Sequence, residues 1–205
     1  MPSPIGHALA GAAVAWTADA IDRHPSSARL VAACAVLATV ADLDLLMPRY
    51  HRSFTHSVTA VALVFIVAAA VTGQVIRLRA ARSGGQARPP DMRDGAQTRW
   101  RIALVCAGAY ATHLLLDWLG SDTLPPFGLQ ALWPFIDRFF VSGLNVFAET
   151  ERRNPFTGAT LIQNLWASAR EIAIVAPVAA ALWMVRVKAL TRFPTEVASR
   201  DHAPQ

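Results

Sequence analysis

Between Asp42 and His56 the chain sets four side chains able to hold a metal ion, Asp42, Asp44, His51 and His56, within fifteen positions. Apolar runs flank this stretch on both sides. Carboxylates and imidazoles are costly beside hydrocarbon unless they are paired, hydrated or bound to a metal. Further along, His113 and Asp117 stand four apart in another apolar run. On a helix that spacing puts both on one face, where they could grip one ion or bridge two. His7, near the start of the first apolar run, is a further side chain of the same type. Nitrogen and carboxylate ligands without thiolates suit zinc, or alternatively manganese or iron. One or two such divalent metals would lower the pKa of a bound water and polarise a phosphoryl or carbonyl oxygen. Arg52 could hold an anionic substrate group through its planar fork.

Each residue also has a plainer reading. A lone histidine is usually a satisfied core residue, a reading that applies to His7 and still more to His24 and His202. Asp42 or Asp44 taken singly could cap a helix or reach toward the interface, and Arg49 and Arg52 could be interfacial anchors. Trp118, Trp133 and Trp166 suit an aromatic belt. The grouping of His51, His56, His113 and Asp117 is what these readings leave unexplained.

The elements that must position these residues are hydrophobic helices. Of the 205 residues 54% are apolar and 16% charged, against roughly 45–50% and about 25% in soluble domains. This composition predicts an all-α, multi-pass transmembrane bundle of about five spans. Helices are expected over Ile5–Ile21, from about Ala28 to Leu46, over Ser57–Ile76, Ile102–Leu119 and Ile172–Val187. The first lacks a preceding basic residue, so it reads as a retained helix rather than a signal peptide. Pro177 falls inside the last and is expected to kink it. Ser53 or Thr55 could cap the third. Residues 1–190 then form one membrane-embedded domain, with a basic loop at 77–101 and a polar tail at 191–205. Cys34 and Cys106 lie in apolar runs and read as small buried residues.

The net charge of +5 could suggest a nucleic-acid partner. However, seven arginines fall between Arg77 and Arg101, beside Gly84-Gly85 and Pro89-Pro90, which reads as a poorly ordered cytoplasmic loop; no nucleic acid is expected. The Gly120–Glu171 connection holds four arginines against five acids, so it is expected outside. Counting back, the N-terminus is outside too. That puts all seven ligand-type residues at one level, the outer face of the bilayer.

At these residues the sequence resembles a known family, the YdjM-like membrane-bound metal-dependent hydrolases of bacteria. The matching pieces are S-P-I-G-H-A-L-A-G with His7, A-D-L-D with Asp42 and Asp44, H-R-S-F-T-H-S from His51 to Ser57, H-L-L-L-D from His113 to Asp117, and L-W-P-F from Leu132 to Phe135. They follow the family's order and span most of residues 1–140. Ala41 stands where a proline is more usual and Ser53 where glycine is frequent; neither change removes a ligand-type side chain. The resemblance implies an inner-membrane hydrolase distantly related to zinc-dependent phospholipases C. Those enzymes use a His-x-x-x-Asp pair, which His113 and Asp117 match, together with an early histidine, which His7 matches.

The expected function is therefore hydrolysis of an ester or phosphodiester by metal-activated water. His7, Asp42, Asp44, His51, His56, His113 and Asp117 are the metal ligands, and Asp42 or Asp44 could instead act as general base. Arg52 is the substrate-binding residue. A site at bilayer-edge depth favours a lipid or lipid-linked phosphate. The rival is a small transporter using the same buried Asp and His for protons or metal ions, which would need polar groups at several depths.

Overall fold

The computed structural model describes residues 2–47, 52–82, 92–123, 127–151 and 157–192. Five α-helices carry the fold: α1 (Pro4–Asp22), α2 (Ala28–Leu37), α3 (Val58–Arg82), α4 (Met92–Leu119) and α5 (Gly158–Arg192). Two short 3-10 segments, Val40–Leu46 and Phe54–His56, lie between α2 and α3. Among the described residues there is no β-strand, only isolated bridges that pair Gly120 with Phe147 and Leu129 with Phe140. The all-helical expectation holds.

The central helix is α1, which packs on α2, α4 and α5, while α3 packs on α4. Small residues make that position possible. A β-carbon on Gly11 would lie 2.4 Å from the Cys34 carbonyl oxygen, so glycine lets the backbones of α1 and α2 approach closely. Local chemistry sets the ends of α1. Ser3 accepts a bond from the Gly6 N–H, Pro4 needs no partner in the first turn, and Arg23 closes the helix in the left-handed region at φ 56°.

About five spans were expected; among the described residues three helices, α3, α4 from Gly95, and α5, are long and apolar enough to cross a membrane. The difference lies in α1 and α2. The first carries His7 and Asp19 within its 19 residues, and the second ends after ten. The expected helix to Leu46 breaks for a specific reason. The Ala38 carbonyl, which a continuing helix would give to the Asp42 N–H, instead meets His113 Nδ1 at 2.8 Å, and Asp42 N–H turns to Thr39 O. The chain tightens into the 3-10 segment as a result.

Other boundaries also move. Most of the 77–101 stretch is helical, since α3 runs to Arg82 and α4 starts at Met92; residues 83–91 fall outside the described set. The last helix begins at Gly158, where the Thr157 hydroxyl accepts the Thr160 N–H, so residues 158–170 are helix rather than connection. Pro177 lies inside it. The cap of α3 is Ser57, whose hydroxyl accepts the Ala60 N–H, not Ser53 or Thr55.

The bundle has two polar ends. At one, buried Asp19 pairs with Arg101 of α4 at 3.0 Å and Arg186 of α5 at 2.7 Å, and Asp22 with Arg101 at 2.6 Å. These pairs join the three helices and satisfy a carboxylate that burial would otherwise penalise. At the opposite end lie His7, His56, His113 and Asp117.

Candidate metal centre

Four side chains meet at this second end. One ligand atom from each of Asp42, His56, His113 and Asp117 lies within 4.8 Å of all the others. The 3-10 segments deliver Asp42 and His56, and the last turns of α4 deliver His113 and Asp117. In a 3-10 helix residues two apart diverge. Asp42 therefore turns toward His113, at 3.9 Å, while Asp44 goes behind His56. Asp44 was expected among the ligands; the structure places it at His56 Nδ1, 3.1 Å away, on the far side of the ring from the cluster. Its Oδ2 also accepts the Thr55 hydroxyl at 2.5 Å and the Arg52 N–H at 3.0 Å.

The hydrogen bonds fix what each imidazole can offer. Ala38 O only accepts, so His113 Nδ1 carries a proton; the Asp44 carboxylate imposes the same on His56 Nδ1. Both Nε2 atoms then face the cluster. They stand 3.0 Å apart, and Asp117 Oδ2 is 3.2 Å from His56 Nε2 and 3.4 Å from His113 Nε2. Two lone pairs and a carboxylate oxygen so close repel one another unless a cation sits among them. A proton is one answer. Burial lowers the pKa of His56, but hydrogen bonds and charge from Asp117 and Asp44 outweigh it and push it up to about 9. A divalent ion is the other; the His56, His113 and Asp117 donors, 3.0, 3.2 and 3.4 Å apart, come near the spacing it needs, with Asp42 further out at 3.9 Å from His113. Donors held about 2.0–2.2 Å from one ion in a tetrahedron stand roughly 3.3–3.6 Å apart. The outer contacts match the usual support of a metal site, in which a carboxylate or carbonyl holds the second ring nitrogen of each histidine.

His7 joins from α1 at the edge of this group. It is fully buried, its Nε2 is 3.4 Å from Asp117 Oδ1, and its ring stacks on that of His113 with centroids 4.0 Å apart. His51 lies outside the described residues. Arg52 sits beside the cluster in the left-handed region at φ 63°, an unusual conformation for a side chain of its size. Its guanidinium pairs with Asp122, and it lines, with Asp117, Trp118, Leu129 and Phe140, a pocket next to the cluster. Trp118, assigned by sequence to an aromatic belt, is thus a pocket wall.

Two acidic side chains at this end of the bundle escaped the sequence reading. Asp122 counted only in a charge tally, yet it holds Arg52. Glu171 opens the apolar run of α5 and is 2% exposed; its Oε2 accepts the Ser3 N–H at 2.7 Å, at the first turn of α1. Its one sequence signal is a carboxylate bordering an otherwise apolar span.

Comparison with known proteins supplies the lineage. The family model for the YdjM inner membrane protein matches residues 1–192. The chain belongs to the YdjM inner membrane protein family. A bilayer setting for α3, α4 and α5 follows from the family and from their apolar length. No curated protein and no solved structure matches the chain, so the comparisons do not extend to the zinc-dependent phospholipases C.

Proposed function

We propose that this member of the YdjM family is a metal-dependent hydrolase, with its site at the outer face of the inner membrane and an ester or phosphodiester of a lipid or lipid-linked phosphate as substrate. The observation that carries this reading is the convergence of the His56 and His113 Nε2 atoms with Asp117 and Asp42, each ring held from behind by Asp44 or Ala38 O. Zinc suits this nitrogen and carboxylate set best, with manganese and iron sharing its ligand types. A divalent ion there supplies an activated water and polarises the oxygen of the bond to be broken.

The chain's own residues do the rest. Asp44 and the Ala38 carbonyl keep the two imidazoles in the tautomer that presents Nε2. Arg52, held by Asp122, places a planar cation on the pocket wall for an anionic group. Val141 of the pocket lining is exposed, as are Phe127 and Phe139, the sequence neighbours of lining residues Gly128 and Phe140, which gives apolar surface suited to acyl chains. The transport reading finds less support. On α1 the buried residues between His7 and Asp19 are Gly11, Ala12, Ala13 and Ala15, which offer no relay between the two polar ends.

The test is elemental analysis of the detergent-purified full chain. Wild type should carry at least one divalent transition metal per chain, His113→Ala and Asp117→Ala should lose most of it, and His24→Ala should match wild type. A metal-free wild type, or equal metal in all four proteins, would overturn the proposal.

A further inference from the structure

The L-W-P-F motif, Leu132 to Phe135, takes no part in the metal centre, yet its place in the fold is specific. Leu129 and Phe140 exchange both backbone hydrogen bonds, and the chain between them makes a turn on that base. Leu132, Trp133, Phe135, Ile136 and Phe139 are all exposed on it, Phe135 to 84%. So many large apolar side chains on one short turn are unusual in water, where turns are polar and apolar patches mark contact surfaces.

The polar groups of the turn are turned inward instead. Trp133 N–H donates to Gln130 O, Phe135 and Ile136 N–H both donate to Leu132 O, and Pro134 has no N–H to satisfy. The Ala131 carbonyl accepts the Val58 N–H at 2.9 Å, and the Trp133 carbonyl accepts the Thr59 hydroxyl at 2.6 Å. The Gln130 side-chain amide holds Asp137. A loop in water can leave such groups to solvent, whereas backbone that enters hydrocarbon must satisfy them internally. From Trp133 to Ile136 every backbone donor is satisfied within the chain.

What covers the turn follows from what it is fastened to. Val58 and Thr59 open α3, a helix of membrane-spanning length whose Val58, Leu63, Ile66 and Val67 are exposed. The turn continues this lipid-facing surface at the metal-centre end. Phe54, also exposed, joins the two, with its ring tilted against Trp133 at 6.1 Å. Tryptophan suits the level where acyl chains meet headgroups, and the long stem of Arg138 lets its charge reach back to them.

We propose that the Leu132–Phe139 turn is inserted into the bilayer, with its tip among the acyl chains of the leaflet at the metal-centre end. Insertion follows from the bilayer setting of α3 and needs no metal. Leu129 and Phe140, at the base of the turn, line the pocket with Arg52 and Asp117. The pocket then opens sideways at headgroup level. On the hydrolase reading, on which this one consequence rests, a lipid reaches Arg52 without leaving its leaflet.

The experiment is spin labelling of single introduced cysteines in the full chain, reconstituted in vesicles of phosphatidylcholine and phosphatidylglycerol. Relaxation by oxygen, which concentrates in lipid, is compared with relaxation by a water-soluble nickel chelate. Cys34 and Cys106 are buried, so the label goes to the introduced thiol. The oxygen-to-nickel ratio at Phe135→Cys should match that at Ile66→Cys and exceed that at Gly143→Cys by about tenfold, as for an element lying in the acyl boundary. A Phe135 ratio equal to that of Gly143 would put the turn in water and overturn the proposal, while leaving the metal analysis untouched. Low access to both reagents, with spin-spin broadening that dilution by unlabelled protein removes, would put a second copy of the chain on the turn and overturn it as well. If Phe135→Cys fails to fold, Leu132→Cys and Phe139→Cys decide by the same comparison.

Discussion

Glu171 of α5 occupies the space that a side chain on Gly6 of α1 would need: a β-carbon there would lie 1.7 Å from Glu171 Oε1. The carboxylate cannot simply swing away, because it is buried and its other oxygen holds the Ser3 N–H at 2.7 Å. Glycine at position 6 and glutamate at position 171 thus set how deeply α1 seats against α5, and the adjacent His7 moves with α1.

Gly6→Ala should therefore destabilise the protein, by roughly 1–3 kcal/mol as for other overpacked sites. Thermal unfolding in detergent, followed by circular dichroism, would measure it. Because the clash is with the tip of Glu171, adding Glu171→Ala should recover part of the loss, a coupling that a double-mutant cycle reads directly. Additive effects of the two substitutions would show that the contact does not set the seating of α1.

Ligand types and periodicity were legible in the sequence to very different extents. Helix α1 was placed within a residue at each end, because its caps and the polar turn after it are local. The early end of α2 was not legible, since it depends on His113 taking the Ala38 carbonyl from 75 residues away. Asp42 and Asp44 looked equivalent on paper. Only the 3-10 conformation separates them, sending one toward the cluster and the other behind His56. Glu171 and Asp122 find their partners across 168 and 70 positions, so no spacing rule could have singled them out.

The placement of Asp44 makes its own prediction. Asp44→Asn keeps the shape and can still accept the Thr55 hydroxyl, but it removes the charge that holds the proton on His56 Nδ1. Metal affinity should fall about 10–100-fold, the usual effect of losing such a supporting group, without loss of the site. Competition with a fluorescent zinc chelator would measure it. A loss as complete as in His113→Ala would make Asp44 a ligand instead.

Acid should compete with the metal, and the direction follows from His56. Without metal its pKa is about 9, because Asp117 and Asp44 outweigh the burial that lowers it. At neutral pH the metal-free ring therefore carries a proton that an ion must expel to reach Nε2. Apparent zinc affinity should rise by about tenfold per pH unit up to pH 9 for this one proton, then level off. Chelator competition between pH 6 and 9 tests this, and a flat profile would remove His56 from the ligand set.

The sidedness of the site is the remaining question, and the two polar ends frame it. Arg77, Arg79 and Arg82 close α3, Arg101 lies in the first half of α4, and Arg186, Lys188 and Arg192 end α5, all on the Asp19 side of the bundle. Positive residues favour the cytoplasm, so the metal centre should face outward. A reporter active only in the cytoplasm should work when fused after Arg192. For the opposite face Gly143 is a better probe position than Gly128. A β-carbon on Gly128 would press to 2.3 Å from Phe140 O, whereas around Gly143 nothing lies within 4 Å. The φ of 71° suits glycine and would strain a cysteine, a strain that an exposed connection can relax. A cysteine at Gly143 should react in intact spheroplasts with a membrane-impermeant maleimide. The native thiols should give little background, since Cys34 is 0% and Cys106 6% exposed. Labelling at Gly143 only after the membrane is broken, together with a silent reporter after Arg192, would invert the protein and put the centre on the cytoplasmic face.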